Sequence, residues 1–336
     1  MSCIVTMREL IIKKNEAGQS LLKYLHKYMK EAGNGFLYKM LRKKNITLNK
    51  KKADGTEILT ENDAVALFMS DDTIDKFRGI GTTEDIAKEY FAAYERLKGI
   101  KVIYENEDIL ILDKPVGILS QKASDSDISI NEWVIGYMLK NGKLNVQDLE
   151  TFKPSVCNRL DRNTGGLILA GVSLKGLQIL GDVLKNRSLH KYYYTICEGH
   201  PGKELHLYGV IDKNERTNMV SVQLRDHKTK DCNIETIARA LSYGNKYTLL
   251  EVELVTGKSH QIRAHLSKAG YPLVGDVKYG GKPFVLNDIE LNHQLLYAYR
   301  MVFPKLDVLK ELSESEISIE MPLLLRNIME NDHADL

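Results

Sequence analysis

Cysteine is scarce and scattered in this chain: Cys3, Cys157, Cys197 and Cys232 are the four present, with no C-x-x-C pair among them. That spacing argues against a zinc site and a disulfide framework, and it suits a reducing cytoplasm. Long apolar runs are missing as well. None approaches the roughly 18 residues needed to cross a bilayer. The opening MSCIVTMRELIIKKNE lacks the apolar stretch and small-residue cleavage site of a signal peptide. There is no internal repeat, no low-complexity segment and no H-E-x-x-H pair. His260 and His265 stand five apart, so no metal is expected there. Gly257-Lys258-Ser259 hints at a phosphate loop, but Val252 occupies the position where a Walker A motif requires glycine.

What the chain does contain is the composition of a globular protein, 43% hydrophobic and 27% charged. Its 336 residues suggest two domains. The net charge of +2 does not by itself announce a nucleic-acid binder, but the distribution does more. No acidic residue falls between Glu31 and Asp54, while Lys39, Arg42, Lys43, Lys44, Lys50, Lys51 and Lys52 do. Clustering of one sign is the electrostatic footprint of a phosphate-rich partner; its bland counterpart is a solvated helix face.

Periodicity divides the chain. Leu21, Leu22, Leu25, Tyr28 and Met29 share one helical face, and Phe36, Leu37, Met40 and Leu41 share another after Gly33-Asn34-Gly35. ITLN, TEIL and AVALF read as short strands around the Asp54-Gly55 turn. We therefore expect an N-terminal segment over 1–15, a small α/β domain over 16–75, and a partly helical linker over 76–98. The rest, 99–330, should be a larger α+β domain with a mixed, mostly antiparallel sheet. MPLLLRNIME should pack as a terminal helix and NDHADL should fray.

Three segments carry chemistry. NRLDRNTGGLILAG sets Asp161 between Arg159 and Arg162, just before an apolar strand. Nearby positive charge favours the ionised form of a carboxylate, and an ionised carboxylate can attack carbon. Thr164-Gly165-Gly166 permits close backbone approach beside it. A solvated Arg–Asp–Arg cluster would give the same string, and on physics alone that is the commoner case. In VTGKSHQIRAHLSKAGYPLVGD, Ser259 can cap a helix that ends at Gly270 and projects Arg263 in a set direction. In HKYYYTICEG, strand alternation puts Tyr192 and Tyr194 on one face and Lys191, Tyr193 and Thr195 on the other. A tyrosine beside a charged cleft can stack on a base or simply fill the core.

Taken together, Arg159–Gly166, Lys191-Tyr192-Tyr193 and Thr256–His265 resemble the R-L-D-R-x-T-[SG]-G motif, K-x-Y strand and T-G-[RK]-[TS]-H-Q-I-R-x-H helix of the RluA-type pseudouridine synthases. GILSQ and GYPLVGDVKYGG extend the resemblance to roughly 100–303. The N-terminal portion, through FLYKMLRKKNITLNKKKADG, looks like an S4 RNA-binding domain of the αL type. Asn158 stands where many relatives carry His, and Lys258-Ser259 where many carry Arg-Thr.

The resemblance implies a pseudouridine synthase fold and isomerisation of uridine in RNA, with large-subunit ribosomal RNA the expected substrate and no cofactor. It implies that Asp161 is the nucleophile, at C1′ of the ribose or C6 of the base, with Arg263 as its ion-pair partner and Tyr193 stacking on the target base and assisting proton transfer from C5. RNA contacts are expected from Arg159, Arg162, Lys39, Arg42, Lys43, Lys44, Lys51, Lys52, Lys191, His260 and Gln261. A cytoplasmic monomer is expected. The competing readings are a catalytically retired RNA-binding assembly factor, a glycoside hydrolase, which would need a second acid near Asp161, and a structural protein of the ribosome.

Overall fold

Two runs in the chain are almost wholly apolar, ILILDK and GGLILAG. A strand buried on both faces reads this way, and the computed structural model, which describes residues 7–78, 83–214, 216, 219–286 and 289–334, places both at the centre of the larger domain.

The N-terminal unit forms first along the chain. Strand β1 (Met7–Ile11) is followed by helices α1 (Leu21–Tyr28) and α2 (Asn34–Arg42), then β2 (Ile46–Leu48), β3 (Lys51–Lys52) and β4 (Ala64–Phe68). The strands make an antiparallel sheet in the order β1-β4-β2-β3, and α1 and α2 pack on it around Leu21, Leu25, Leu37, Leu41, Val65 and Leu67. On α1 it is Tyr24, not Leu22, that is fully buried. TEIL makes one bridge, Ile58 to Ser20, instead of a strand. The expected boundary at residue 16 is corrected: β1 pairs with β4 over its whole length, so the sheet is incomplete without residues 7–11.

The expected linker is corrected too. Helix α3 (Asp71–Arg78) buries Ile74 in the N-terminal core, and α4 (Thr83–Arg96) lies against α5 (Ile130–Lys140). The two helices approach so closely that a Cβ on Gly136 would sit 2.1 Å from the Tyr90 carbonyl oxygen. Buried Tyr90 belongs to the core of the larger domain, so this stretch is part of a folded body.

The larger domain is built on β5 (Lys101–Glu105), β6 (Ile109–Lys114), β7 (Ser155–Val156), β8 (Gly165–Gly171), β9 (His190–Glu198), β10 (Glu204–Asn214), β11 (Met219–Arg225), β12 (Ile234–Tyr243), β13 (Tyr247–Leu254), β14 (Phe284–Leu286), β15 (Ile289–Leu291), β16 (Leu296–Val302) and β17 (Glu316–Ser318). The main sheet runs β11-β10-β12-β13-β9-β16-β8-β6-β5, with β7 added to β8, β17 added to β16, and β14-β15 a separate hairpin. The expected α+β architecture with a mixed, mostly antiparallel sheet is what forms; β16 and β8 are its parallel pair.

Helices cover both faces. Leu110 and Leu112 of β6 face α5, while Ile109 and Ile111 face α6 (Leu174–Lys185). Farther along, α7 (Gln261–Lys268) buries Ile262 and Leu266 against Leu250 and Val252. Helix α8 (Leu323–Ala334) packs Leu325 and Ile328 on Ile196 and Leu249. It runs beyond the expected frayed point because Asp332, 4% exposed, accepts hydrogen bonds from the Lys246 and Tyr247 backbone N–H groups and so clamps the β12–β13 turn. Residues 335–336 lie outside the described residues.

Candidate active site

Asp161 sits in the connection from β7 to β8, and that connection is fastened on both sides of it. The Leu160 N–H donates to Ser120 Oγ at 2.9 Å, and the Ser120 hydroxyl donates back to the Leu160 carbonyl at 2.8 Å. The Thr164 N–H closes a turn onto the Asp161 carbonyl at 3.0 Å. Beneath the turn lies Lys114, the last residue of β6 and wholly buried. Its ammonium donates to the carbonyls of Pro115 (3.0 Å), Ile118 (2.8 Å) and Arg162 (3.2 Å). Burial brings that ammonium down to about 8, against the opposing pull of the Asp161 and Asp113 charges.

The strand after the turn explains the two glycines. Gly166 has φ +104°, and a Cβ there would lie 2.1 Å from the Ala298 carbonyl oxygen; one on Gly165 would lie 2.8 Å from the Tyr297 ring. Side chains at these positions would prevent β16 from docking parallel to β8, immediately beside Asp161.

Arg263 reaches the site from α7, across the sequence. Its Nη1 donates to Asp161 Oδ2 at 2.9 Å, while Nε and Nη2 donate to Asp276 at 2.7 and 2.8 Å. Its guanidinium also lies 4.9 Å from the centre of the Tyr279 ring. Burial alone would lower its pKa, but the Asp276 bonds and the charges of Asp276 and Asp161 outweigh that and raise it. The guanidinium is thus a permanent charge of set orientation. Ser259 does not cap α7 as expected. The cap position is His260, in the left-handed conformation (φ 52°), with no side-chain capping bond.

Tyr193 comes from the middle of β9, 4% exposed, with its face towards the same space. Burial, and after it the Asp161 charge, push its phenol well above the ordinary tyrosine value. The group stays protonated at neutral pH.

The space is a cleft of about 960 Å³ that Asp161, Tyr193, Arg263, Arg159, Arg162, Lys191 and His260 all line. The structure therefore brings together seven of the residues singled out in the sequence. Arg159 and Arg162 are exposed, and the guanidinium bonded to Asp161 is that of Arg263. Lys191 is buried at 7% exposure, which lowers its ammonium below the usual lysine value, with the Arg187 charge adding to the effect.

Gln261 is a correction. It is 2% exposed, its amide N–H groups donate to the Glu235 carbonyl and Thr236 Oγ1, and its Oε1 accepts from Thr256 Oγ1 and the Lys258 N–H. All four hydrogen-bonding positions are filled by protein, so the side chain ties α7 to β12 and has nothing left for RNA. Lys39, Arg42 and Lys52 line a separate hollow of about 350 Å³ on the N-terminal unit, and Lys43, Lys44 and Lys51 are exposed nearby on that unit.

Sequence reasoning passed over Asp276, Lys114 and Tyr279. Asp276 and Tyr279 lie inside GYPLVGDVKYGG with no pattern marking them. Lys114 did carry a signal: it follows Leu110 and Leu112 on the inward face of a buried strand, where a lysine needs partners.

The profile of a family described as RNA pseudouridylate synthase matches residues 108–268, which include Asp161, Tyr193 and Arg263. Over those residues the chain carries an RNA pseudouridylate synthase domain. An uncharacterized RNA pseudouridine synthase of Mycoplasma genitalium is 28% identical over 90% of this chain and 91% of its own length. The ribosomal large subunit pseudouridine synthase C of Pasteurella multocida is 26% identical over 88% of this chain and 86% of its own. Synthase D of Borreliella burgdorferi is 28% identical over 70% and 71% respectively. Among solved structures, human RNA pseudouridylate synthase domain containing 4 superposes with a TM-score of 0.53 at 17% identity, covering 74% of this synthase and 97% of that chain, a likeness of fold.

Proposed function

We propose that this synthase converts uridine within an RNA chain to pseudouridine, with Asp161 as nucleophile, Arg263 as its charged partner and Tyr193 as the surface against which the target base stacks. The observation that carries the reading is the 2.9 Å pair between Arg263 and Asp161 on the wall of a 960 Å³ cleft that Tyr193 also faces. The C1′–N1 bond breaks and a C1′–C5 bond forms. The proton lost from C5 is matched by one gained at N1, so the atoms balance without oxidant, reductant or a second substrate. A carboxylate starts this sequence by attacking C1′, in the manner of a retaining glycosidase, or by adding to C6 of the base. Arg263 serves either route, holding the carboxylate in place. Tyr193, held protonated, offers its ring instead of a phenolate base.

A uridine stacked in a helix cannot reach a carboxylate recessed in a cleft, so it must be everted, at a cost of about a few kcal/mol. Contacts to phosphate offset that cost. We assign them to Arg159, Arg162 and Lys191 at the cleft, and to Lys39, Arg42, Lys43, Lys44, Lys51 and Lys52 on the N-terminal unit, which we read as an S4 domain. Relatives named as ribosomal large subunit synthases favour large-subunit ribosomal RNA as the substrate, and with it a cytoplasmic location; a monomer is the proposed state. Among the described residues no helix is long and apolar enough to cross a membrane.

Asp161→Asn decides the matter. Tritium release from RNA carrying 5-tritiated uridine should vanish, while RNA affinity stays within about twofold. Turnover comparable to the parent would remove Asp161 from the nucleophile's role. A parent protein that binds RNA and releases no tritium would be an assembly factor instead.

A further inference from the structure

His260 stands in a conformation that a residue with a Cβ adopts only at a cost, φ 52° at the start of α7. What holds it there is Tyr279. The phenol oxygen lies 2.7 Å from His260 Nδ1, and the two rings meet edge to face at 5.6 Å. The same oxygen accepts the Val220 backbone N–H at 3.2 Å. On the far side of the imidazole, Nε2 lies 3.8 Å from Asp161 Oδ2, an electrostatic approach and not a formed hydrogen bond.

These contacts select one tautomer. With its oxygen occupied by Val220, Tyr279 has its hydroxyl proton to place, and Nδ1 is the acceptor in reach. Nδ1 then carries the lone pair and Nε2 carries the hydrogen. The opposite tautomer would aim a lone pair at the Asp161 carboxylate. Arg263 binds the same oxygen, Oδ2, at 2.9 Å. Arg263 on α7 and the residue that caps that helix thus both point an N–H towards Oδ2, one hydrogen-bonded and one at 3.8 Å, and among the described residues no hydrogen bond reaches Oδ1.

We infer that His260 is a positioning residue whose tautomer is set by Tyr279, that it and Arg263 hold Oδ2 of Asp161 as the anchored oxygen, and that Oδ1 is the oxygen that attacks. The imidazole acts as the neutral Nε2–H form. Asp161 and Arg263 face it, as do Asp276, Lys278 and Tyr279 from the segment packed against it. The logic parallels the role of a buried carboxylate in a serine protease, which matters by deciding which imidazole nitrogen carries the proton. The inference rests on Asp161 being the nucleophile.

The test is a double-mutant cycle read as single-turnover rate and RNA affinity. Tyr279→Phe keeps the ring against His260 and Arg263 but frees the tautomer; the rate should fall about tenfold or more with RNA affinity within about twofold. His260→Gln places an amide where Nε2 stands and needs no tautomer control, so it should outpace His260→Ala by about tenfold. In the His260→Gln background, Tyr279→Phe should then cost less than about twofold, a non-additivity that disturbed packing would not produce. Thermal melts of each variant separate slowed chemistry from unfolding. Equal losses from Tyr279→Phe in both backgrounds, or glutamine no better than alanine at 260, would overturn the inference. If Asp161→Asn retains turnover the underlying reading falls; if it is dead and the cycle is additive, only this inference does.

Discussion

Asp276 has no exposure to solvent, and both of its carboxylate oxygens accept hydrogen bonds from Arg263, at 2.7 and 2.8 Å. The arginine would otherwise be a long, mobile side chain. With two nitrogens committed to Asp276 it has one direction left for Nη1, and Asp161 stands there.

Replacing Asp276 by alanine therefore strikes twice. It strands a buried guanidinium, for which a loss of about 3–5 kcal/mol of stability is expected, and it loosens Asp161. Asp276→Asn, which keeps one acceptor, should remain folded and lower kcat by about tenfold or more with little change in KM. Urea melts and single-turnover assays measure the two effects, and a folded Asp276→Asn variant of full activity would show that Arg263 needs no anchor.

Lys114→Met tests the floor of the site. Three carbonyls lose a charged donor, although the Arg162 carbonyl keeps the Gly117 N–H at 2.9 Å. A loss of about 2–3 kcal/mol is expected. The loop that presents Asp161 should also become protease-sensitive between residues 115 and 163. A methionine variant as stable and as resistant as the parent would make the buried lysine incidental.

His265 predicts an acid-side loss of stability. It is fully buried, and desolvation brings it down to about 4. The folded value lies below the unfolded one, so the unfolded chain takes up the proton first. Stability is complete above the unfolded pKa near 6.5 and declines as pH falls from there to about 4, by about 3 kcal/mol in all. His265→Asn retains a polar atom for Thr236, which now meets Nδ1 at 3.0 Å, and should flatten this slope. Urea midpoints at pH 7 and pH 5 that shift equally in both proteins would locate the acid sensitivity elsewhere.

Changing Lys43, Lys44, Lys51 and Lys52 together to alanine should weaken RNA binding at all sequences alike. It should also flatten the dependence of log affinity on log salt by about 0.7 for each phosphate that is no longer neutralised. Single-turnover conversion at saturating RNA should be preserved. An unchanged salt slope would show that these exposed lysines do not meet the RNA.

Much of this molecule follows from local pattern. The alternation in 190–199 separated Tyr193 from Tyr192 and Tyr194, the unbroken apolar runs at 109–112 and 167–170 suit strands covered on both sides, and Arg159–Gly166 and Thr256–His265 pointed to the chemistry, because such features depend on neighbours a few residues apart. The sequence did not disclose who partners whom across the chain. That Asp161 meets Arg263, 102 positions away, followed from the motif resemblance; that Asp276 holds Arg263, that Lys114 props the loop, and that Tyr279 sets His260 did not follow from spacing at all. The same limit misplaced residues 7–11 and 83–96, whose roles are decided by the surfaces they pack on, and made Gln261 look free for RNA when four protein groups had already claimed it. Hydrogen-bonding capacity is used up in three dimensions, and a residue's place in a linear pattern carries no record of what the folded chain brings to it.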